Sequence, residues 1–244
     1  MELIKSDIEI LTKHLDAAKI CGITKMVFAD HKAYGISDSY SACIVSSCEL
    51  SIPKNVSLGI SSVPDFIKRF DAYKENSVVS LDARTDGKVR SISFKTGRSK
   101  MSYRCTDASK ITYPKASNDV DVGYFELSKA EAVEVKRAIS IMMKPDYIYF
   151  TISSRGEIAV KLQDQNNDTF ELVLEAPFTT TDDSVSCTYN QKFDCKGPLM
   201  ASLQEFMKTG ERIGFIVSEA GNLKAVFDND VEVTLIPSVT SDDD

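Results

Sequence analysis

This 244-residue sequence predicts an α+β fold in which one domain, two helices packed on antiparallel sheets, occurs twice. Three observations carry that expectation. The chain repeats itself: ELIKSDIEILTKHLDAA at 2–18 aligns with ELSKAEAVEVKRAISIM at 126–142, an offset of 124 residues. Glu2, Leu3 and Lys5 meet Glu126, Leu127 and Lys129; Leu11 meets Val135, Leu15 meets Ile139, and Lys13 meets Arg137. Each copy then runs through strand-like segments, a second short helical segment and more strands. A polar, proline-containing stretch, TDASKITYPKASNDVDV at 106–122, breaks the periodicity between them. Each half is too long for a solenoid repeat and the right size for a small domain. The expected organisation is an N-terminal domain over 1–105, a linker over 106–122, a C-terminal domain over 123–237 and an acidic, fraying tail over 238–244.

The first helix is expected from Ser6, as N-cap with Glu9 three residues on, to about Ile20. Ile8, Leu11, Leu15 and Ala18 share one face, and Lys13 projects nearly opposite. Strands follow over Lys25–Ile36, Tyr40–Glu49 and Val56–Ser61. Ser62-Val63-Pro64-Asp65 opens a second helix with Phe66, Ile67, Phe70 and Tyr73 on its apolar side. Val78–Ala83, Val89–Thr96 and Lys100–Cys105 complete the first half as strands, with turns at Thr85-Asp86-Gly87 and Thr96-Gly97-Arg98.

The second half restarts with a strand at Tyr124–Leu127 and a helix near Ser128, with Glu131 at the capping spacing. Ala132, Val135, Ile139 and Met142 form its buried stripe, Arg137 points away, and Pro145 stops it. Tyr147–Ser153, Glu157–Gln163, Phe170–Ala176 and Ser184–Asp194 alternate as strands. Gly197-Pro198 opens a short helix carrying Leu199, Leu203 and Phe206. A meander over Arg212–Ser218, Leu223–Asp228 and Val231–Ile236 closes the domain.

Composition limits the function classes. The hydrophobic fraction of 43% supports packed cores. No apolar run approaches the roughly 18 residues of a membrane span. The opening MELIKSDIEI has no apolar signal segment, so a cytoplasmic protein is expected, or a nuclear one in a eukaryotic or nuclear-viral setting. The six cysteines, Cys21, Cys43, Cys48, Cys105, Cys187 and Cys195, form no CxxC pair and read as reduced, buried thiols. No GxSxG, HExxH, P-loop or GxGxxG occurs, and the two histidines, His14 and His31, lack zinc-type spacing. The expectation is no enzyme, no metal and no cofactor. His14 reads as a surface or boundary residue on the helix flank.

The net charge is −7 and the pI near 5.0, which argues against a nucleic-acid coat protein but leaves room for a local basic surface. Across 5–20, 62–75, 128–144 and 198–208 there are 11 Lys and Arg against 9 Asp and Glu. Lys13 and Arg137 hold equivalent outward positions of the repeated helix. Such helices either present spaced cations to a phosphate backbone without reading bases, or are ordinary solvated faces. Residues 84–115 hold nine cations against Asp86 and Asp107, a local charge of +7. That stretch reads as an oligomer contact, a DNA contact, a docking surface, or edge-strand lysines that block unwanted pairing.

The repeated strand–helix–strands–helix–strands unit, the linker and the acidic tail resemble the DNA polymerase sliding clamps, in their two-domain form of the proliferating cell nuclear antigen and T-even-phage type. MELIKSDIEILTKHL, SLDARTDG and MSYRCTDASKITYPK look like phage clamp segments, and VEVTLIP followed by SVTSDDD is similar to the nuclear-antigen ending. The resemblance covers essentially the whole chain and rests on order and spacing. It implies the DNA clamp fold and a homotrimeric ring of six similar domains, closed head to tail by edge-strand pairing. The helices would line a central hole around double-stranded DNA, and the ring would tether a DNA polymerase after loading by an ATP-dependent clamp loader. It makes Lys13 and Arg137 DNA-facing, with Lys68, Lys136, Lys144 and Lys208 as further candidates. It places partner-peptide docking near Ile111, Tyr113, Pro114, Ile236, Pro237 and Val239. Two other readings stay open: a clamp-fold scaffold for transcription or repair, and a duplicated virion protein unrelated to DNA.

Overall fold

The computed structural model describes residues 1–75, 77–114, 119–181, 189–209, 212–226 and 231–238. The chain divides into two compact units, Met1–Ala116 and Ser117–Asp244.

In the first unit, helix α1 (Lys5–Ile20) is followed by β1 (Met26–Ala29), β2 (Lys32–Ile36), β3 (Ala42–Ser47) and β4 (Leu58–Ile60). These strands form an antiparallel sheet in the order β4-β1-β2-β3. Helix α2 (Val63–Tyr73) leads into β5 (Val78–Ala83), β6 (Val89–Thr96) and β7 (Ser99–Arg104), an antiparallel sheet in that order. The N-terminus lies along the free side of β5: Leu3 N–H donates to Val79 O (2.9 Å), and Glu2 bridges Ser80.

The second unit repeats this plan with nine strands, against seven in the first, among the described residues. It comprises β8 (Asp121–Ser128), α3 (Lys129–Ile141), β9 (Tyr147–Ile152), β10 (Ile158–Gln163), β11 (Thr169–Val173), β12 (Thr179–Thr180), β13 (Tyr189–Asp194), α4 (Pro198–Thr209), β14 (Arg212–Ser218), β15 (Leu223–Val226) and β16 (Glu232–Leu235). One antiparallel sheet has the order β11-β10-β9-β13 and the other β12-β8-β14-β15-β16.

Most of the predicted apolar stripe is buried, with Ile8 on α1 and Tyr73 on α2 only partly covered. On α1, Leu11, Leu15 and Ala18 are buried, and on α2 so are Phe66, Ile67 and Phe70. Phe66 stacks on Phe70 (5.4 Å between centroids) and meets Tyr103 edge-on (4.9 Å), which fixes α2 against one face of β5–β7. Phe125, Phe150 and Phe215 form the matching nucleus of the second unit, with Phe125 and Phe215 5.3 Å apart. Each such side chain contributes roughly 1.5–3 kcal/mol by leaving water. On α3 the stripe is Ala132, Val135 and Ala138; Ile139 and Met142 are only partly covered.

Four expectations change. The first helix begins at Lys5, and neither Ser6 nor Glu9 caps it; both are exposed. The capping acid is Asp7, whose carboxylate accepts from Ile4 N–H (2.9 Å). Lys25–Ile36 is two strands, because Asp30 and His31 take φ of 51° and 57° in a two-residue hairpin turn. The helix after Ser128 ends at Ile141, three residues before Lys144. His14 is buried at 4% exposure: Nδ1 lies 2.9 Å from Ile10 O and Nε2 3.1 Å from Ser47 O on β3. The described cysteines, Cys21, Cys43, Cys48, Cys105 and Cys195, form no disulfide with one another.

The duplication reaches the hydrogen bonds. The Asp7 carboxylate accepts from Ile4 N–H and, with its other oxygen, from Ser51 N–H (2.7 Å). The Glu131 carboxylate accepts from Ser128 N–H (2.7 Å) and Glu175 N–H (2.8 Å). In each unit a buried acid on the first helical turn ties the backbone three residues before it to the backbone 44 residues after it. Among the described residues no helix is long and apolar enough to cross a membrane.

Candidate nucleic-acid and partner-docking surfaces

The first candidate surface is built on the solvent sides of the helices. Because α1 and α3 each lay one stripe on a sheet, the residues between stripe positions must face outward. Arg137 and its neighbour Lys136 are exposed on α3, and Lys68 is exposed on α2. Among the described residues, none of these three has an ion-pair partner within 4.0 Å. Lys13 is half-covered rather than opposite the core. It lines a groove with Leu3, Ile8, Thr12, Lys74 and Val79, beside the end of α2.

Two candidates sit differently. Lys208, on the last turn of α4, donates to Glu205 (2.7 Å), so its charge is locally neutralised. Lys144 lies beyond α3 with φ 55° and lines a polar groove with Asp146, Tyr147, Tyr149 and Asn167. By strand alternation Tyr147 and Tyr149 point away from the buried Ile148 and Phe150, which places Lys144 beside the solvent face of that sheet.

The second candidate surface is in the first unit, where the chain leaves β7. Gly59 on β4 allows it: a Cβ there would stand 2.4 Å from Thr106 O, and Thr106 N–H donates to Gly59 O (3.0 Å). That close approach carries a short 3-10 turn, Ala108–Lys110, across the sheet. Lys88 clamps its start by pairing with Asp107 (2.8 Å), and this pair, with the Ser109 hydrogen bonds, holds the Asp107 carboxyl well below the usual range. Ala108 and Ile111 then bury against Val27, with Ala29 and Tyr34 alongside. The β1 sequence MVFA is consequently buried on both faces, Phe28 edge-on to His14 and Val27 under Ile111.

Ile111 is thus a core residue of the segment, while Tyr113 remains 37% exposed, its ring 4.9 Å from that of Tyr34. Burial, then the charge of Asp30, pushes the Tyr34 phenol up, so it stays a neutral donor beside Tyr113. Pro114 is half-exposed. In the second unit Ile236 and Pro237 are half-exposed just past β16, where Ser238 N–H donates to Lys192 O (2.8 Å). Val239 and the acidic residues after it lie outside the described residues. Tyr34 and Val27, which floor the first-unit surface, are not singled out by the sequence. The available signal is a strand buried at consecutive positions, which needs cover on both faces.

No family model matches the sequence, and no curated protein does either. A solved structure described as the C-terminal region of FEN-1 bound to A. fulgidus PCNA contains a chain that matches with a TM-score of 0.63 at 13% identity. The match covers 96% of this chain and 97% of that one. This is a clamp-type fold. The clamp-type architecture accounts for the pairing of two helices with antiparallel sheets in each unit.

Proposed function

We propose that the chain is the subunit of a sliding clamp, a ring that encircles duplex DNA and tethers the polymerase and other DNA-processing proteins. The observation that carries this reading is a clamp-type fold matched over 96% of the chain, with a cation at the equivalent position of the repeated helix in both copies, the half-covered Lys13 and the exposed Arg137. Lys68 and Lys136 add further cations without local partners, and Lys208 and Lys144 contribute less. Few, diffuse phosphate contacts suit a protein that slides, because they position without reading sequence. The function is mechanical: tethering raises the polymerase's effective concentration at the primer end, with no chemistry by this chain.

Strand edges support a ring. β7 in the first unit and β11 in the second each end a sheet, with one side unpaired among the described residues. Unlike edges on one subunit pair head to tail, and such contacts close into a ring when the rotation allows it. Partner peptides would place apolar anchors on Tyr113 and Pro114 in the first unit and on Ile236 and Pro237 in the second. Opening and closing the ring falls to a separate ATP-dependent loader.

Light scattering coupled to size exclusion over a dilution series tests the assembly. Three 27.0 kDa subunits give about 81 kDa. Loader-dependent retention on circular but not linear DNA tests the function. Retention equal on both, or a monomer that no loader assembles on DNA, overturns the clamp reading in favour of a clamp-fold scaffold. K13E/R137E should keep the trimer mass and lose loading; normal processivity in that variant removes the helices from the DNA contact.

A further inference from the structure

The three-stranded sheet of the first unit buries one face under α2 and leaves the other in solvent. The antiparallel register defines the solvent face. Val78, Lys95 and Lys100 form one row; Ser80, Ser93 and Ser102 the next, extended by Glu2; and Asp82, Ser91 and Arg104 the third. The buried face is Val79, Leu81, Ile92, Phe94 and Tyr103. The solvent face is polarised: both acids, Glu2 and Asp82, lie on the β5 side, and all three cations lie on β6 and β7. Arg98 adds a fourth in the turn between these strands, next to Gly97 with φ 54°.

This half of the face is built against its own stability. Lys95 and Lys100 stand directly opposite across the strands, an arrangement that like charges disfavour. All four cations are exposed, and among the described residues none has an acid within 4.0 Å. Between them lie only hydroxyls, Ser91, Ser93 and Ser102. Protein hot spots centre on aromatic or Arg anchors in desolvated pockets; Arg98 and Arg104 here are exposed, and no aromatic or large apolar side chain lies beside them on this face of β6 and β7. Cations interspersed with hydroxyl donors are what phosphodiester oxygens accept from. Lys100 and Arg104 are four residues apart on one strand, about 13 Å, long enough to follow a backbone rather than to hold one ion.

We propose that the exposed β6–β7 face, through Lys95, Arg98, Lys100 and Arg104, is a sequence-independent contact for the phosphate backbone of DNA, separate from the helix surface. It lies on the opposite side of its sheet from α2, and pairing along the β7 edge would leave the face open. The inference stands on this face alone and does not need a ring.

The test is binding of the full chain to a short, linear, fluorescently labelled DNA duplex, read by anisotropy over a salt series without any loader. K95E/K100E/R104E is expected to weaken binding at least tenfold and to flatten the log–log salt dependence by about 3, close to one for each phosphate no longer neutralised. R98Q should give a smaller loss in the same direction. Unchanged affinity and slope in the triple variant overturn the proposal while leaving trimer mass and loader-dependent retention, the tests of the clamp reading, untouched. A triple variant that loses the 81 kDa species in step with DNA binding assigns the face to assembly and overturns it too. Binding of a poly-glutamate peptide to this face, with no DNA binding at low salt, overturns it in favour of an acidic protein partner.

Discussion

The two units keep the same tie and differ in what surrounds it. Asp7 and Glu131 each hold the start of a helix to a chain segment 44 residues on, through two backbone N–H groups. Around that constant, the second unit closes a capping box, because Ser128 Oγ accepts from Glu131 N–H, whereas Ile4 supplies no side-chain cap. The second unit leads into its helix from an eight-residue strand; the first has only residues 1–3 against β5. Position 14 is a buried histidine, and its counterpart, Ala138, is a buried alanine. What persists through duplication is the buried polar contact whose loss strands two backbone donors. The cap, the leading strand and the interior side chain differ between the units.

The largest perturbation asks whether the two cores are energetically separate. Phe94→Ala and Phe215→Ala should each cost about 3–5 kcal/mol. Hydrogen exchange should show the greater loss of protection within the unit that carries the change, and a uniform loss across both would end the description of two units. Asp7→Ala and Glu131→Ala come next, at about 1–3 kcal/mol each, since each leaves two part-buried N–H groups without their carboxylate acceptor. Urea unfolding should give values within about 1 kcal/mol of each other; a clear inequality would break the equivalence of the ties. Tyr113→Ala should weaken partner-peptide binding about tenfold, the scale of one missing apolar anchor, with little change in unfolding midpoint.

Acid separates the units further. Burial disfavours charge on His14, outweighing the Ile10 and Ser47 carbonyls, and Lys13 adds repulsion, so its pKa is lowered from 6.5. Its contribution to stability is present above pH 6.5 and is lost as pH falls toward the folded-state value. Burial pushes the Glu131 carboxyl up, but the Ser128 hydroxyl and the Glu175 and Ser128 N–H groups more than reverse this, lowering it from 4.5. That contribution is present above pH 4.5 and is lost only below it. Between pH 6.5 and 4.5 the first unit should therefore lose exchange protection while the second keeps it, and His14→Ala should remove that slope. The smallest effect is the cap: Ser128→Ala should cost about 1 kcal/mol, and Ile4→Ser should recover part of that for α1.

Much of this architecture is readable from the residues. Val78–Ala83 and Val89–Thr96 are bounded correctly because two-residue alternation meets a glycine turn there. The Asp30-His31 turn is hidden, because neither residue is a glycine or asparagine and alternation continues through it. Ser6 and Glu9 match the capping pattern, yet Asp7 holds the backbone; the deciding partner, Ser51, is distant in sequence. The exposure of Arg137 can be read from periodicity alone; the half-burial of Lys13 cannot, since it depends on the end of α2 and on β5 lying alongside. The packing of Ile111 cannot, since it depends on Gly59 admitting a neighbouring chain segment and on which side of β1 that segment crosses.

The duplicated carboxylate also works as an index mark. Lys13 and Arg137 each come six residues after it, about 9 Å along the axis and 600° of winding. Pinning Asp7 or Glu131 to a fixed backbone point sets the helix's rotational phase, and one residue of slippage would swing the cation by about 100°. Both helices therefore display charge at the same height and azimuth within their own units, like teeth cut from one template.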